Sequence, residues 1–415
     1  MRSVYKTWLA GTCLAGVGCG LFLYVYSAAA ATPRAVPFTF VTVDAPVQGA
    51  ASTMVVGINN VGDMVGSYNP IPAIANLNAP SGFLGTGFVM YMNGKFVSIP
   101  GPGPVNPQGC NPLQGSFANC YFMEVRGINN QGDIVGTYSQ DLFNPDGGLF
   151  RAFFQKHNGT FTSYLAPGHA NSIFQKITDT GLIYGCFHDE GIDDSSQASM
   201  HGVINRLKEN GEIQNLASSP ESSSMNTGGG PAAHQYAGVF YDSTSLRHRA
   251  FVVEGDHRTN FDMPGSNLTQ AWDMNVLGDV VGVWGNNADP IKIDGYPFHG
   301  FLRDRTGTFI DIEYPGSIDT HVFGINDLGQ IVGSYVDQNK NLHGFIAYPG
   351  DHRAELARPK QPLMLKASYN TAGEAPNVQV AMMQIVPKDK PLLPASQPAS
   401  HPASHHHMSL EIGSK

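Results

Sequence analysis

The chain reads as an all-β protein, a six-bladed β-propeller whose last blade is completed by a strand from near the N-terminus. Three observations predict this. A Gly-centred signature recurs six times: Asp63–Tyr68, Asp133–Tyr138, Leu182–Phe187, Tyr236–Tyr241, Asp279–Trp284 and Gln330–Tyr335. An aromatic-led run into Pro recurs downstream of the first five copies, beginning at Phe96, Phe161, Ile213, Phe261 and Phe309. Its sixth copy stands at the other end of the chain, as FTFVTVDAP from Phe38. Finally, Asn59-Asn60-Val61-Gly62, Asn129-Asn130-Gln131-Gly132 and Asn326-Asp327-Leu328-Gly329 put Asn, Asp and Gly between β-rich runs, where a tight hairpin needs positive φ.

The registering glycines, Gly66 to Gly333, lie 44 to 70 residues apart. Propeller blades of four strands repeat every ~40–50 residues. Each unit therefore reads as strands a, b, c and d, and the misplaced sixth signature predicts that Phe38–Pro46 supplies strand d of blade 6. Such a swap removes a free sheet edge. An open β-solenoid is the alternative, and it needs no complementary fragment at Phe38. A glycine inside a strand marks close backbone approach, so the VG pairs predict crowding by a neighbouring strand or blade.

Along the chain, Met1–Ala31 carries Arg2 and Lys6, an apolar run from Trp8 to Tyr26, and a small-residue stretch ending at Ala31. Those are the regions of a secretory signal. The run is also long enough for an uncleaved membrane anchor. Residues 32–350 form the repeat domain, 351–390 a poorly structured extension, and 391–415 a Pro-, Ala-, Ser- and His-rich tail expected to be disordered. Export favours a disulfide between Cys110 and Cys120, which share one Gly- and Pro-rich insertion. Cys186 falls in a predicted strand, as a buried free thiol. A net charge of −9 without a basic stripe excludes a phosphate backbone as partner.

The a–b and c–d connections are short, whereas the b–c and d–a loops expand irregularly; the segments from Asn69 to Thr86 and from Gly101 to Met123 are examples. Antiparallel strands put all the long loops on one face, and variable loops on a rigid scaffold carry function. On that face the candidate residues are Glu124, Arg126, Asp319 and His321 near the starts of strand a, with His188 and Asp189 in an acidic loop. His299 and His343 begin strand c, in a series with Thr86, Arg151, His201 and Arg249. An Asp–His couple at a channel mouth is the minimum for acid–base chemistry. Strand c lies third from the axis, so its His and Arg residues fit local hydrogen bonding better than convergence on a ligand. No nucleophile elbow, phosphate-binding Gly loop or zinc spacing is present, and no cofactor is implied.

The combination GIN-x-x-G-x-[IV]-VG-x-Y, then His-Gly-Phe at His299–Phe301 and His343–Phe345, then a Phe-led strand into Pro, resembles the bacterial extracellular HAF-type repeat proteins. The resemblance covers about Phe38 to Gly350, and it implies export and a repeat-built β-fold but no reaction. The leading expectation is an exported, non-enzymatic binding or adhesion scaffold whose long-loop face engages a glycan, peptide or cell-surface component. The alternatives are an enzyme acting on a carbohydrate or lactone-like substrate at the channel mouth, and a structural envelope protein. A membrane is a partner only if the leader stays uncleaved. Metal content is open.

Overall fold

A computed structural model of the chain describes residues 38–69, 85–102, 110–111, 116–117, 121–140, 150–169, 171–188, 200–219, 223–286, 297–350, 380–382 and 386–387. Every regular element among them is a strand. Six antiparallel sheets are arranged in a ring, making a six-bladed β-propeller. The inner strands a are Ser52–Ile58, Tyr121–Ile128, Asn171–Ile177, Ser224–Gly229, Leu268–Met274 and Asp319–Ile325. Each packs on the inner strands of both neighbouring blades, and strand a of blade 6 packs on strand a of blade 1.

Five blades take four consecutive strands, and blade 6 takes three, Asp319–Ile325, Ile331–Val336 and Leu342–Pro349. Its fourth is Phe38–Val43, paired antiparallel from Phe38↔Pro349 to Val43↔Gly344. Physical chemistry explains the register. Phe40 inserts between blades 5 and 6, its ring 5.5 Å from Tyr314 and 5.6 Å from Phe345. Thr42 Oγ1 bonds the hydroxyls of Tyr314 at 2.7 Å and Tyr335 at 2.9 Å. His343 Nδ1 meets Asp44 Oδ2 at 2.9 Å. The outermost edges of blades 1 and 6 gain short fifth strands, Val380–Met382 and Val386–Pro387.

The core lies between blades. At the 5–6 junction Phe40, Tyr314, Val322, Ile325, Tyr335 and Phe345 form one buried cluster. The recurring glycine of strand b faces strand a of its own blade, with the strand-c Phe behind it. A Cβ on Gly282 would run into the Gln270 carbonyl oxygen and lie 2.9 Å from Phe301, and Gly66, Gly136 and Gly333 are confined in the same way. The close approach is thus made within the blade.

The hairpins use their Asn twice. Asn59 Oδ1 accepts the N–H groups of Val61 and Asp63, while Asn59 Nδ2 donates to the Asn129 carbonyl of the next blade at 3.0 Å. Asn275 Nδ2 reaches Asn326 O and Asn326 Nδ2 reaches Asn59 O, so a relay runs through blades 5, 6, 1 and 2. Cys186 is a buried free thiol in Leu182–His188, and burial pushes it up to about 12. Cys120, the Cys110 side chain and Asp189 lie outside the described residues.

Candidate functional site

Every inner strand carries one β-bulge, and all six fall at the same step. A bulge leaves one residue unpaired and re-aims its side chain. The bulged residues are Val56, Arg126, Gln175, Thr227, Trp272 and Phe323, and the next residue is Gly57, Gly127, Lys176, Gly228, Asp273 and Gly324 in turn. Glycine is required where neighbouring inner strands nearly touch: a Cβ on Gly127 would lie 2.9 Å from the Lys176 Cα. Blades 3 and 5 break this column with a cation and an anion. Lys176 Nζ meets Asp273 Oδ2 at 2.6 Å, with the two side chains 15% and 4% exposed. Asp273 also accepts the N–H groups of Ile325 and Met274. Burial pushes the Asp273 carboxyl up, and Lys176 and these backbone donors pull it back. The pair joins non-adjacent blades and forms a polar floor across the axis.

On the long-loop side of that floor, Arg126 Nη2 pairs with Glu124 Oε2 at 2.6 Å, and Arg126 Nη1 donates to Gln175 Oε1 at 2.7 Å. Gln175 Nε2 then contacts Met225 Sδ at 3.0 Å. Burial raises the Glu124 carboxyl above its usual range, against the pull of Arg126. Blades 5 and 6 present an aromatic wall instead. Trp272 lies edge-on to Phe323 at 5.7 Å, and His321 stands 4.9 Å from Phe298 and 5.6 Å from Phe323. In a six-membered ring, blade 2 faces blade 5 and blade 3 faces blade 6.

Of the residues expected from the sequence, Glu124 and Arg126 do meet, and so do Asp319 and His321, on a different blade. Asp319 Oδ2 accepts the Phe298 N–H at 2.8 Å, tying down the end of the preceding blade's b–c loop, as Asn171 does for Phe150. His321 Nε2 is 3.0 Å from Asp319 Oδ1, but the atoms are out of line for a hydrogen bond. His299 and His343 sit away from the axis. Each pairs with the acid that ends strand d, His299 with Glu313 at 2.6 Å and His343 with Asp44, and each stacks on the aromatic ending strand b, Trp284 or Tyr335. Arg249 pairs likewise with Asp262. Burial depresses the His343 imidazole, but Asp44 and Asp337 outweigh it and hold the group above its ordinary value. His188 Nε2 is 3.7 Å from Cys186 Sγ at the end of strand b. Sequence reasoning missed Gln175, Lys176, Trp272, Asp273 and Phe323. Stacking the repeats on their Gly-Ile-Asn step would have exposed them, because the bulge column is the one that runs Val, Arg, Gln, Thr, Trp, Phe.

On the other side of the floor, the a–b turns surround an open depression with a cavity volume of about 80 Å³. It is lined by Asn59, Asn60, Asn129, Asn130, Thr178, Asp179, Gly229, Gly230, Asn275, Val276, Asn326 and Asp327, above Lys176. No group of three or more His, Cys, Asp or Glu able to hold a metal ion occurs among the described residues.

Sequence comparison finds no matching family model and no matching curated protein. Among solved structures the chain is similar to a sialidase from Trypanosoma rangeli, at 8% identity and a TM-score of 0.44 over 74% of this chain and 55% of that one. The chain thus spans little more than half the sialidase's length. A lectin from Aleuria aurantia, solved with Fucα1-6GlcNAc, aligns at 10% identity and a TM-score of 0.37 over 82% of this chain and 97% of the lectin. An arabinanase from Bacillus subtilis aligns at 9% identity and a TM-score of 0.30 over 52% of this chain and 88% of the enzyme. These likenesses are of fold.

Proposed function

We propose that the chain is an exported, non-enzymatic scaffold of the HAF-repeat kind that binds a glycan at the axial mouth of its long-loop face. One observation carries this reading. The wall built by Trp272, His321 and Phe323 stands on the blades opposite Glu124, Arg126 and Gln175. Sugars present apolar C–H faces and hydroxyl edges together, so an aromatic wall opposite a hydrogen-bonding wall matches both. The acidic groups support binding rather than turnover. Glu124 is held by Arg126, one Asp319 oxygen accepts the Phe298 N–H, and Asp273 is held by Lys176. Acid–base hydrolysis of a glycoside ordinarily needs two working carboxyls flanking one bond.

A glycan array probed with the mature chain tests this. Binding without turnover is expected, and Trp272→Phe, which keeps the packing but shrinks the stacking face, is expected to weaken it roughly tenfold, the scale of one aromatic contact. Absence of any glycan signal, or release of product from a bound glycan, refutes it.

A further inference from the structure

The depression on the a–b face carries a second site, independent of the mouth just described. A hydrogen-bond census shows what it can take. Three of its four inner amide donors are spent on neighbouring blades: Asn59 on Asn129, Asn275 on Asn326, Asn326 on Asn59. Most of the outer donors are spent as well. Asn60 Nδ2 donates to Asp327 Oδ2 at 2.6 Å, Asn130 Nδ2 to Asp179 Oδ2, and the N–H groups of Val276, Asp327, Asn60 and Asn130 each feed the next side chain round the rim. Each Asp179 and Asp327 oxygen accepts one of these bonds and keeps a second lone pair, since a carboxylate has about four acceptor sites. The single cation of the lining, Lys176, is committed to Asp273.

The cup therefore offers acceptors and negative charge but few donors. Its ligand must be donor-rich and cationic. Asp179 and Asp327 belong to blades 3 and 6, which face each other across the ring, so one compact ion does not satisfy both. Val276 stands exposed at the rim, 43%, where an apolar side chain can cover methylene groups. We propose that the cup binds a linear aliphatic polyamine, with one ammonium on Asp179, another on Asp327, and the methylene chain lying against Val276.

Calorimetry of the full chain with spermidine and spermine at low salt tests the assignment. Asp179→Asn and Asp327→Asn suit the fold, because blades 1 and 2 already use Asn60 and Asn130 at this step. Saturable binding at one polyamine per chain is expected. Each variant should weaken it roughly fivefold, the upper range for a solvated ion pair, and the two effects should multiply because the sites are far apart. Asp256→Asn, at an exposed turn outside the cup, should leave affinity unchanged. The assignment is overturned by lack of saturable binding. It is equally overturned if Asp256→Asn weakens binding as much as Asp179→Asn, which would mark diffuse attraction to a chain of net charge −9.

Discussion

Replacing Thr42 with Val should loosen the union of Phe38–Val43 with blade 6 by an amount set by hydroxyl pairing. Valine keeps the shape and the β-propensity of threonine, so the strand and its register are retained. What disappears is one hydroxyl that bonds both Tyr314 and Tyr335. These rings are stacked 3.6 Å apart and both tyrosines are buried. Burial pushes the Tyr335 hydroxyl well above the usual phenol range, so it stays protonated. One tyrosine can donate to the other, which leaves the second buried O–H hydrogen without an acceptor. Stranding such a group costs about 1–3 kcal/mol. Urea unfolding of Thr42→Val should therefore report a loss of about 2 kcal/mol with an unchanged m-value. Adding Tyr314→Phe and Tyr335→Phe removes every member of the triad and should recover most of that loss. A loss below about 0.5 kcal/mol, or a triple variant no better than the single one, would refute the reasoning.

Gly282→Ala should lower stability by about 3 kcal/mol or more, because its Cβ meets backbone on one side and Phe301 on the other; urea unfolding checks this. His248 is buried and its imidazole is depressed from 6.5 to about 4 by desolvation, so its contribution is present above pH 6.5 and is lost as pH falls towards 4. Between pH 7 and 5 that loss is about 2 kcal/mol, and His248→Phe should abolish this part of the acid sensitivity in parallel unfolding curves. Lys176→Met strands the Asp273 carboxylate and should cost about 3–5 kcal/mol at pH 7. Since burial raises Asp273, the deficit should shrink as pH falls and the carboxyl takes up a proton.

The ring, its blade count and the displaced outer strand were legible because each rests on a pattern of many residues, and slips in any one copy are outvoted by the others. The Phe38–Val43 pairing was readable even across some three hundred residues, because a repeat with one missing member names what is missing. The axis was harder to read. Trp272 and Phe323 sit in strands with runs of buried residues, and without knowing about the bulge their side chains belong to either sheet face. Lys176 and Asp273 are separated by two blades, so nothing local announces their pairing. The strand-c series reads in sequence as local bonding, yet its partner, the acid ending strand d, shows only once the c–d register is known. The a–b turns looked too short to hold a site. Their side chains are short, but six of them round one axis make a cup.

The amide relay stops at blade 2 and resumes at blade 5, with consequences for how the wheel comes apart. It crosses the place where the two ends of the repeat meet, from Asn326 to Asn59, but blade 3 offers Thr178 and blade 4 offers Gly230 where blades 1, 2, 5 and 6 offer the relaying Asn. The buried clusters spanning blades 3 and 4 are also small, Leu182, Tyr184 and Ile204 in one and Cys186, Met225 and Val239 in the other. The Tyr184 hydroxyl, donating to Gly230 O and Ala232 O, stands in for the missing spokes. Under heat or tension the first breach therefore opens beside blade 4, far from the chain's own clasp, and the halves it frees are blades 1–3 and 4–6, still buckled together by Phe38–Val43.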